Sequence, residues 1–259
     1  MVNSIRKYGQ KPYRIILLHG GPGAAGEMRP VAETLSKYFG ILECLQTEKS
    51  INRQIKELHG QLTSSAEIPT ILIGFSWGAW LGILFASKYP NLVKKLILVS
   101  SGALESKYNE DLMKIRLNRL SKSDREEAEK IITTINTNNS NKETLKRFGE
   151  LMAIADSFDY IADESDSIEL NMEIYKSVWL EASRLRDTNE LINCVDKIEC
   201  PIVVFHGEFD PHPIDGVEKP LLERVRNAKI IRLKKCGHTP WKEVFAKDEF
   251  YSLLIDELR

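Results

Sequence analysis

The stretch Gly74-Phe75-Ser76-Trp77-Gly78 constrains the fold of this chain more than any other. It follows the β-branched start of "TILIGF" and leads into "WGAWLGILFASKYP", so a buried strand turns into a helix through a serine between two glycines. Such a corner is expected to hold Ser76 at positive φ, which costs a non-glycine residue about 1–3 kcal/mol. Strand and helix then cross so closely that positions 74 and 78 have to be nearly free of side chain. The corner pushes the Ser76 hydroxyl out at the C-terminal edge of a sheet, where α/β folds carry their sites. The N-terminus of the following helix lies beneath it, and its free N–H groups favour a developing anion.

The remaining chain supplies the sheet that this corner needs. "YRIILLHG", "ILECLQ", "TILIGF", "KKLILVSSG", "CPIVVFHGEFD" and "AKIIRL" are short apolar runs that read as strands. "MRPVAETLSKYF", "SINRQIKELHGQL" with Ser50 as N-cap, and "WGAWLGILFASKYP" read as helices between the first of them. The last of these helices is apolar on nearly every side and is expected to be buried. Alternating elements and strands without a polar face predict an α/β fold, a mostly parallel central sheet with helices on both faces. From Leu104 to Lys197 the pattern changes to charge and helix formers, with no clear strand. Capping boxes at Ser123-x-x-Glu126 and Ser140-x-x-Glu143 fit three to five helices there. Residues 104–197 therefore read as an inserted helical cap, either a lid or a second helical layer, in a core of residues 1–103 and 198–259. A final helix is expected to start near Thr239-Pro240.

A serine hydroxyl is a poor nucleophile without a base, and the base needs an orienting acid. "VVFHGEFD" puts Asp210 just past a strand end, with Glu208 and Asp215 as nearby alternatives, and "KKCGHTPW" puts His238 in the loop after the last strand. Both positions converge on Ser76 in such a sheet. An oxyanion hole is expected from the backbone N–H groups of Trp77 and of Gly21, the latter within His19-Gly20-Gly21-Pro22-Gly23. Each such donor is typically worth ~2.7–4 kcal/mol in the transition state. His19 reads as a brace for its own loop and His206 as a strand-end residue. His212, between Pro211 and Pro213, reads as a turn residue or a substrate contact. Cys236 lies outside an elbow and reads as a small packed residue. No metal-ligating cluster is evident among the histidines and cysteines, and the glycine loop lacks the lysine and Ser/Thr of a phosphate-binding P-loop.

Composition narrows the partners. A net charge of −1 gives no reason to expect nucleic acid or an anionic membrane, which leaves a small-molecule substrate. No apolar stretch approaches the ~18 residues of a membrane span, and the N-terminal stretch has no apolar h-region. The four cysteines have no C-x-x-C spacing, so reduced thiols and a cytoplasmic location are expected.

Together these features resemble the α/β-hydrolase superfamily, over nearly the whole chain from Tyr13 to the last helix. The HGGPG loop with tryptophan after the serine is similar to the prolyl iminopeptidase-type branch. "VWLEASRLRD", "HGEFDPHPIDGVEKPL" and "KKCGHTPWKE" are similar to a group of capped hydrolases. The resemblance implies a triad of Ser76 as nucleophile, His238 as general base and Asp210 as orienting acid. It also implies no cofactor, and a lid shaping the pocket for a small ester, amide or short peptide cleaved through an acyl-enzyme. A cap of the iminopeptidase type uses carboxylates to hold a substrate amine. Glu181 either does this or pairs with Arg184 or Arg186 on its own helix, and Trp179 belongs to the pocket or to the core. Three other readings stay open. They are an aminopeptidase of that type, a non-catalytic ligand-binding protein on the same fold, and cofactor-free lyase or isomerase chemistry with His238 as base.

Overall fold

The computed structural model describes residues 4–109, 111–137, 141–161, 168 and 170–259. In chain order the elements are β1 (Ile5–Tyr8), β2 (Tyr13–Leu18), α1 (Arg29–Leu35), β3 (Gly40–Cys44), α2 (Ile51–Ser65), β4 (Thr70–Phe75), α3 (Trp77–Lys88) and β5 (Val93–Val99). The helical segment follows with α4 (Leu112–Arg119), α5 (Lys122–Asn136), α6 (Lys142–Asp156), α7 (Met172–Asp187) and α8 (Glu190–Val195). The chain closes with β6 (Ile202–Gly207), α9 (Asp215–Arg224), β7 (Ala228–Leu233) and α10 (Lys247–Leu258).

The strands form one sheet in the order β1-β3-β2-β4-β5-β6-β7. Only β1 runs antiparallel; it pairs with β3 at the edge. The apolar runs lack a polar face because both faces are covered. Along β2, Ile16 and Leu18 join the core under α2, α3, α7 and α8. Ile15 and Leu17 join the opposite core under α1 and α10. This is the period-two alternation of a strand, here with two apolar faces. α3 is buried from Trp77 through Ala86, as an all-round apolar helix requires. β2 and β4 are neighbours while β3 lies outside them, so the chain reverses its direction of travel between them. The loops after β2 and β4 therefore open a crevice at the C-terminal edge, the place where such sheets hold ligands.

Within the helical segment, α4, α5 and α6 share a small core of their own, built on Leu120, Ala128, Leu151, Met152 and Ala155. α7 and α8 instead send Ile174, Val178, Ala182, Leu191, Ile192 and Val195 into the main core.

The structure corrects several local readings. β1 is an element that the apolar pattern does not reveal. Ser121, two residues earlier than expected, caps α5 by accepting the Asp124 N–H at 3.2 Å. Asn141 caps α6 by accepting the Thr144 N–H at 2.8 Å, and Ser140 lies outside the described residues. Thr239-Pro240 opens only a 3-10 turn, Pro240–Lys242, and the last helix begins at Lys247. Ser50 stands at the N-cap of α2 without a side-chain bond to it.

Candidate active site

Ser76 leaves β4 at φ 51° and ψ −112°, immediately before α3. The glycines around it have a steric reason. A Cβ on Gly74 would overlap the Gly78 carbonyl, and a Cβ on Gly78 would overlap the carbonyl of Leu18 on β2. Both obstacles are backbone atoms and neither can rotate away. Gly74→Ala is therefore expected to destabilise the fold by about 3 kcal/mol or more, read as a lower urea midpoint or as insoluble protein. An unchanged midpoint would mean that strand and helix do not cross this closely.

Two further strand ends bring the polar partners. Asp210 follows β6 and His238 follows β7, and His238 Nδ1 donates to Asp210 Oδ2 over 2.8 Å. The Asp210 side chain is fully buried. Its other oxygen accepts the His212 N–H and His212 Nδ1, both at 2.9 Å. His206 Nε2 lies 3.7 Å from Asp210 Oδ2 and donates to the His212 carbonyl at 2.8 Å. Burial alone would raise the Asp210 pKa; His238, His206 and His212 outweigh it and hold the carboxyl well below the usual carboxylate range. Burial alone would lower His238; the Asp210 charge and hydrogen bond outweigh it and leave this imidazole above its ordinary 6.5. His212 goes the other way, lowered by burial and by His238 against the pull of Asp210.

The alternative acids do not share this place: Glu208 is exposed, and Asp215 pairs with Lys219 at 2.6 Å on α9. The His238 ring packs 5.0 Å from the Phe75 ring, next to Ser76. The Ser76 hydroxyl itself makes no hydrogen bond to His238, a link that often tightens only when substrate binds. One expectation changes here. Ligand atoms of Asp210, His212 and His238 lie within 4.8 Å of one another, so a cluster with metal-ligand chemistry exists. Both Nδ1 atoms meet the carboxylate through protons, which is the arrangement of a proton-holding dyad with a second histidine.

The glycine loop after β2 sits beside the elbow. Gly21 has φ 105°, which requires glycine. The Gly20 N–H is taken by Glu27 Oε2 at 3.0 Å, whereas no described residue accepts from Gly21. Trp77 is the first residue of α3, so its N–H has no intrahelical acceptor. His19 is fully buried between the Gly20 carbonyl, 2.8 Å from Nδ1, and the Gln46 N–H, 3.1 Å from Nε2. Its pKa is pushed down to about 4 by burial, which suits a brace. Glu27, missed in the sequence, is raised to about 7 by burial, against the charges of His238 and Lys242.

Ser76, Trp77, Trp80, Trp179, Arg186 and His212 line a narrow cavity of about 40 Å³. Trp179 thus lies in the cavity wall, stacked between Trp80 (5.9 Å, 13°) and Tyr175 (6.2 Å, 7°). Glu181 lies elsewhere. Its carboxylate accepts the Ile51 N–H at 2.8 Å, capping α2 in place of the Ser50 side chain, and neither Arg184 nor Arg186 pairs with it. Arg186 figured in the sequence only as a possible partner of Glu181, although it stands two helical turns from Trp179 and so on the same face of α7. A larger groove of about 350 Å³ between α1 and α10, lined by Pro30, Glu33, Lys37 and Trp241 among others, contains none of the candidate catalytic side chains.

The loop carrying His238 is tied to the helical segment. Asp156, at the end of α6, accepts the His238 N–H through its carbonyl at 2.8 Å. The same residue's carboxylate holds Arg116 of α4 through two bonds of 2.6 Å. Glu243 is fully buried and accepts the N–H groups of Phe158 (3.0 Å), Asp159 (2.9 Å) and Gly237 (2.8 Å). One carboxylate therefore joins the histidine loop to the chain leaving α6.

A family model described as alpha/beta hydrolase fold matches residues 48–240. The chain belongs to that family and is an α/β-hydrolase enzyme. Among solved structures it is similar to VinJ, at 19% identity, with 98% of this chain and 93% of the other covered and a TM-score of 0.74. It is also similar to the proline iminopeptidase of Mycobacterium smegmatis (16%, 98% and 93%, TM-score 0.65). A third is the enol-lactonase of Burkholderia xenovorans LB400 (17%, 98% and 95%, TM-score 0.63). At these identities the likeness is one of fold. A comparison with curated proteins finds no match. Among the described residues no helix is long and apolar enough to cross a membrane.

Proposed function

We propose that the chain is a serine hydrolase that cleaves a small ester or amide through an acyl-enzyme. The observation that carries this reading is a half-buried serine at positive φ, next to Phe75, whose ring packs 5.0 Å from that of a histidine hydrogen-bonded to a buried aspartate. Ser76 Oγ attacks the carbonyl carbon as its proton passes to His238 Nε2. The Trp77 and Gly21 N–H groups receive the oxyanion. The tetrahedral adduct collapses, the proton goes from His238 to the leaving group, and a water activated by the same imidazole releases the acid. Asp210 holds the imidazole tautomer with Nε2 free for this work. α4, α5 and α6 act as a lid that shapes the entrance. The reactants are small molecules, and no cofactor is needed for these steps. The four free cysteines fit a reducing, cytoplasmic setting.

The iminopeptidase-type reading has less support. The carboxylate that it would use to hold a substrate amine, Glu181, is engaged with the N-terminus of α2. The coupled His238–Asp210 pair argues against a non-catalytic receptor.

The test is rapid mixing with p-nitrophenyl acetate across pH. A burst of nitrophenolate with an acyl adduct on Ser76 by mass spectrometry is expected. The base works only when neutral, so kcat/KM falls as pH drops through the His238 pKa, with a midpoint above 6.5. No burst, or an acid limb centred well below 6.5, would contradict the proposal.

A further inference from the structure

The cavity beside Ser76 is lined by a buried guanidinium whose Nε–H has no hydrogen-bond acceptor and only a long ion-pair contact to its exposed neighbour Asp187. Arg186 is only 9% exposed. Its Nε makes no hydrogen bond, and its ion pair with the largely exposed Asp187 is long, at 3.7 Å. Arg116, a half-buried guanidinium near the site, is bound bidentately by Asp156 at 2.6 Å. The fold therefore pairs one arginine fully and leaves the other, in the cavity wall, with a loose ion pair and an unmet Nε–H.

The rest of the wall agrees. Trp77 Nε1 is a second buried N–H without a partner. Trp80 Nε1 is already used by the Gly102 carbonyl at 3.1 Å. Among the described residues lining the cavity there is no carboxylate. The Trp80 ring lies 5.6 Å from the guanidinium carbon, a cation–π contact that leaves the Nε–H without an acceptor. A buried donor left unmet is costly, and a planar guanidinium fork matches a carboxylate. The enclosed space holds a few waters or one small polar group.

We infer that the hydrolase proposed above is selective for substrates bearing a carboxylate, which Arg186 binds while Ser76 attacks the ester or amide carbonyl. The inference rests on the serine-hydrolase reading for its chemistry, but its binding half is testable alone. Since the site offers a cation where an aminopeptidase would need an anion, it also separates the two substrate classes.

The experiment compares monoethyl succinate, glutarate and adipate with the ethyl esters of the matching monoamides, which have the same length and no charge. For the best chain length the wild type should favour the carboxylate by roughly 10- to 100-fold in kcat/KM. The preference should shrink with added salt and collapse toward unity in Arg186→Gln. A wild type that turns over the amide partners equally well overturns the inference and leaves the hydrolase intact. So does an Arg186→Gln protein that loses thermal stability but keeps the ratio, because Arg186 would then only stack on Trp80. The binding half uses glutarate and glutaramide, followed by quenching of tryptophan fluorescence in Ser76→Ala protein. Quenching by glutarate alone, lost with Arg186→Gln, supports the inference even if no ester is cleaved. Equal quenching by both compounds, or none by either, overturns it.

Discussion

Ser76→Ala is expected to lower kcat for a p-nitrophenyl ester by about 10⁴- to 10⁶-fold, with KM little changed. The size follows from the role. Removing the nucleophile abolishes the covalent route, while the N–H groups of Trp77 and Gly21 and the cavity walls remain to bind the ester and assist water weakly. Alanine fits the same corner, since it changes neither the glycines at 74 and 78 nor the positive φ by more than one oxygen atom. Circular dichroism and the urea midpoint should therefore match the wild type, and the loss reads as chemistry. A variant within tenfold of wild type would mean that the hydroxyl is a spectator and that another group, such as His238 acting alone as base, does the work.

Asp210→Asn should cost about 10⁴-fold in kcat. Asp210 accepts from three donors on two histidines, and an amide has one acceptor oxygen and an NH₂ that opposes an imidazole N–H. The expected result is His238 turned to the wrong tautomer, with its proton on the nitrogen that should take one from Ser76. The pH profile gives a second readout with a definite sign. Burial lowers the His238 pKa and the Asp210 charge more than compensates. Remove that charge and burial prevails, so the acid limb of the residual activity should move to lower pH. A limb that stays in place would assign the orientation of His238 to another group. Full activity would show that Asp210 serves only to fold the loop through His212 and His206.

The site was legible in the sequence to the extent that its geometry is enforced by the backbone. Gly74 and Gly78 are needed because carbonyls face them, and Asp210 and His238 fall at strand ends whose apolar runs stand out. What escaped depends on contacts between distant segments. β1 carries Arg6 and Lys7 and so looks like a polar arm; its anchor is the buried Glu43, which accepts from Tyr8 at 2.9 Å. Glu181 looks like a free cap carboxylate until α7 is seen docked on the first turn of α2. The final helix starts late because Glu243 is drawn inward by three N–H groups, two of them from the helical segment. His212 is indistinguishable from a turn residue until its ring is placed 4.5 Å from that of His238. Arg186 had a signal in its helical spacing from Trp179, but only its unmet Nε–H in the cavity wall gives it meaning.

The central claim is that Ser76 is a nucleophile activated by His238 and Asp210. Its most direct measurement is the reaction of the whole protein with a fluorophosphonate, followed by intact-mass and peptide mapping. One phosphonyl group should appear on the peptide carrying Ser76, slowed strongly in Asp210→Asn and absent in Ser76→Ala. Labelling elsewhere, labelling that survives the loss of Ser76, or no labelling of the wild type would contradict the account.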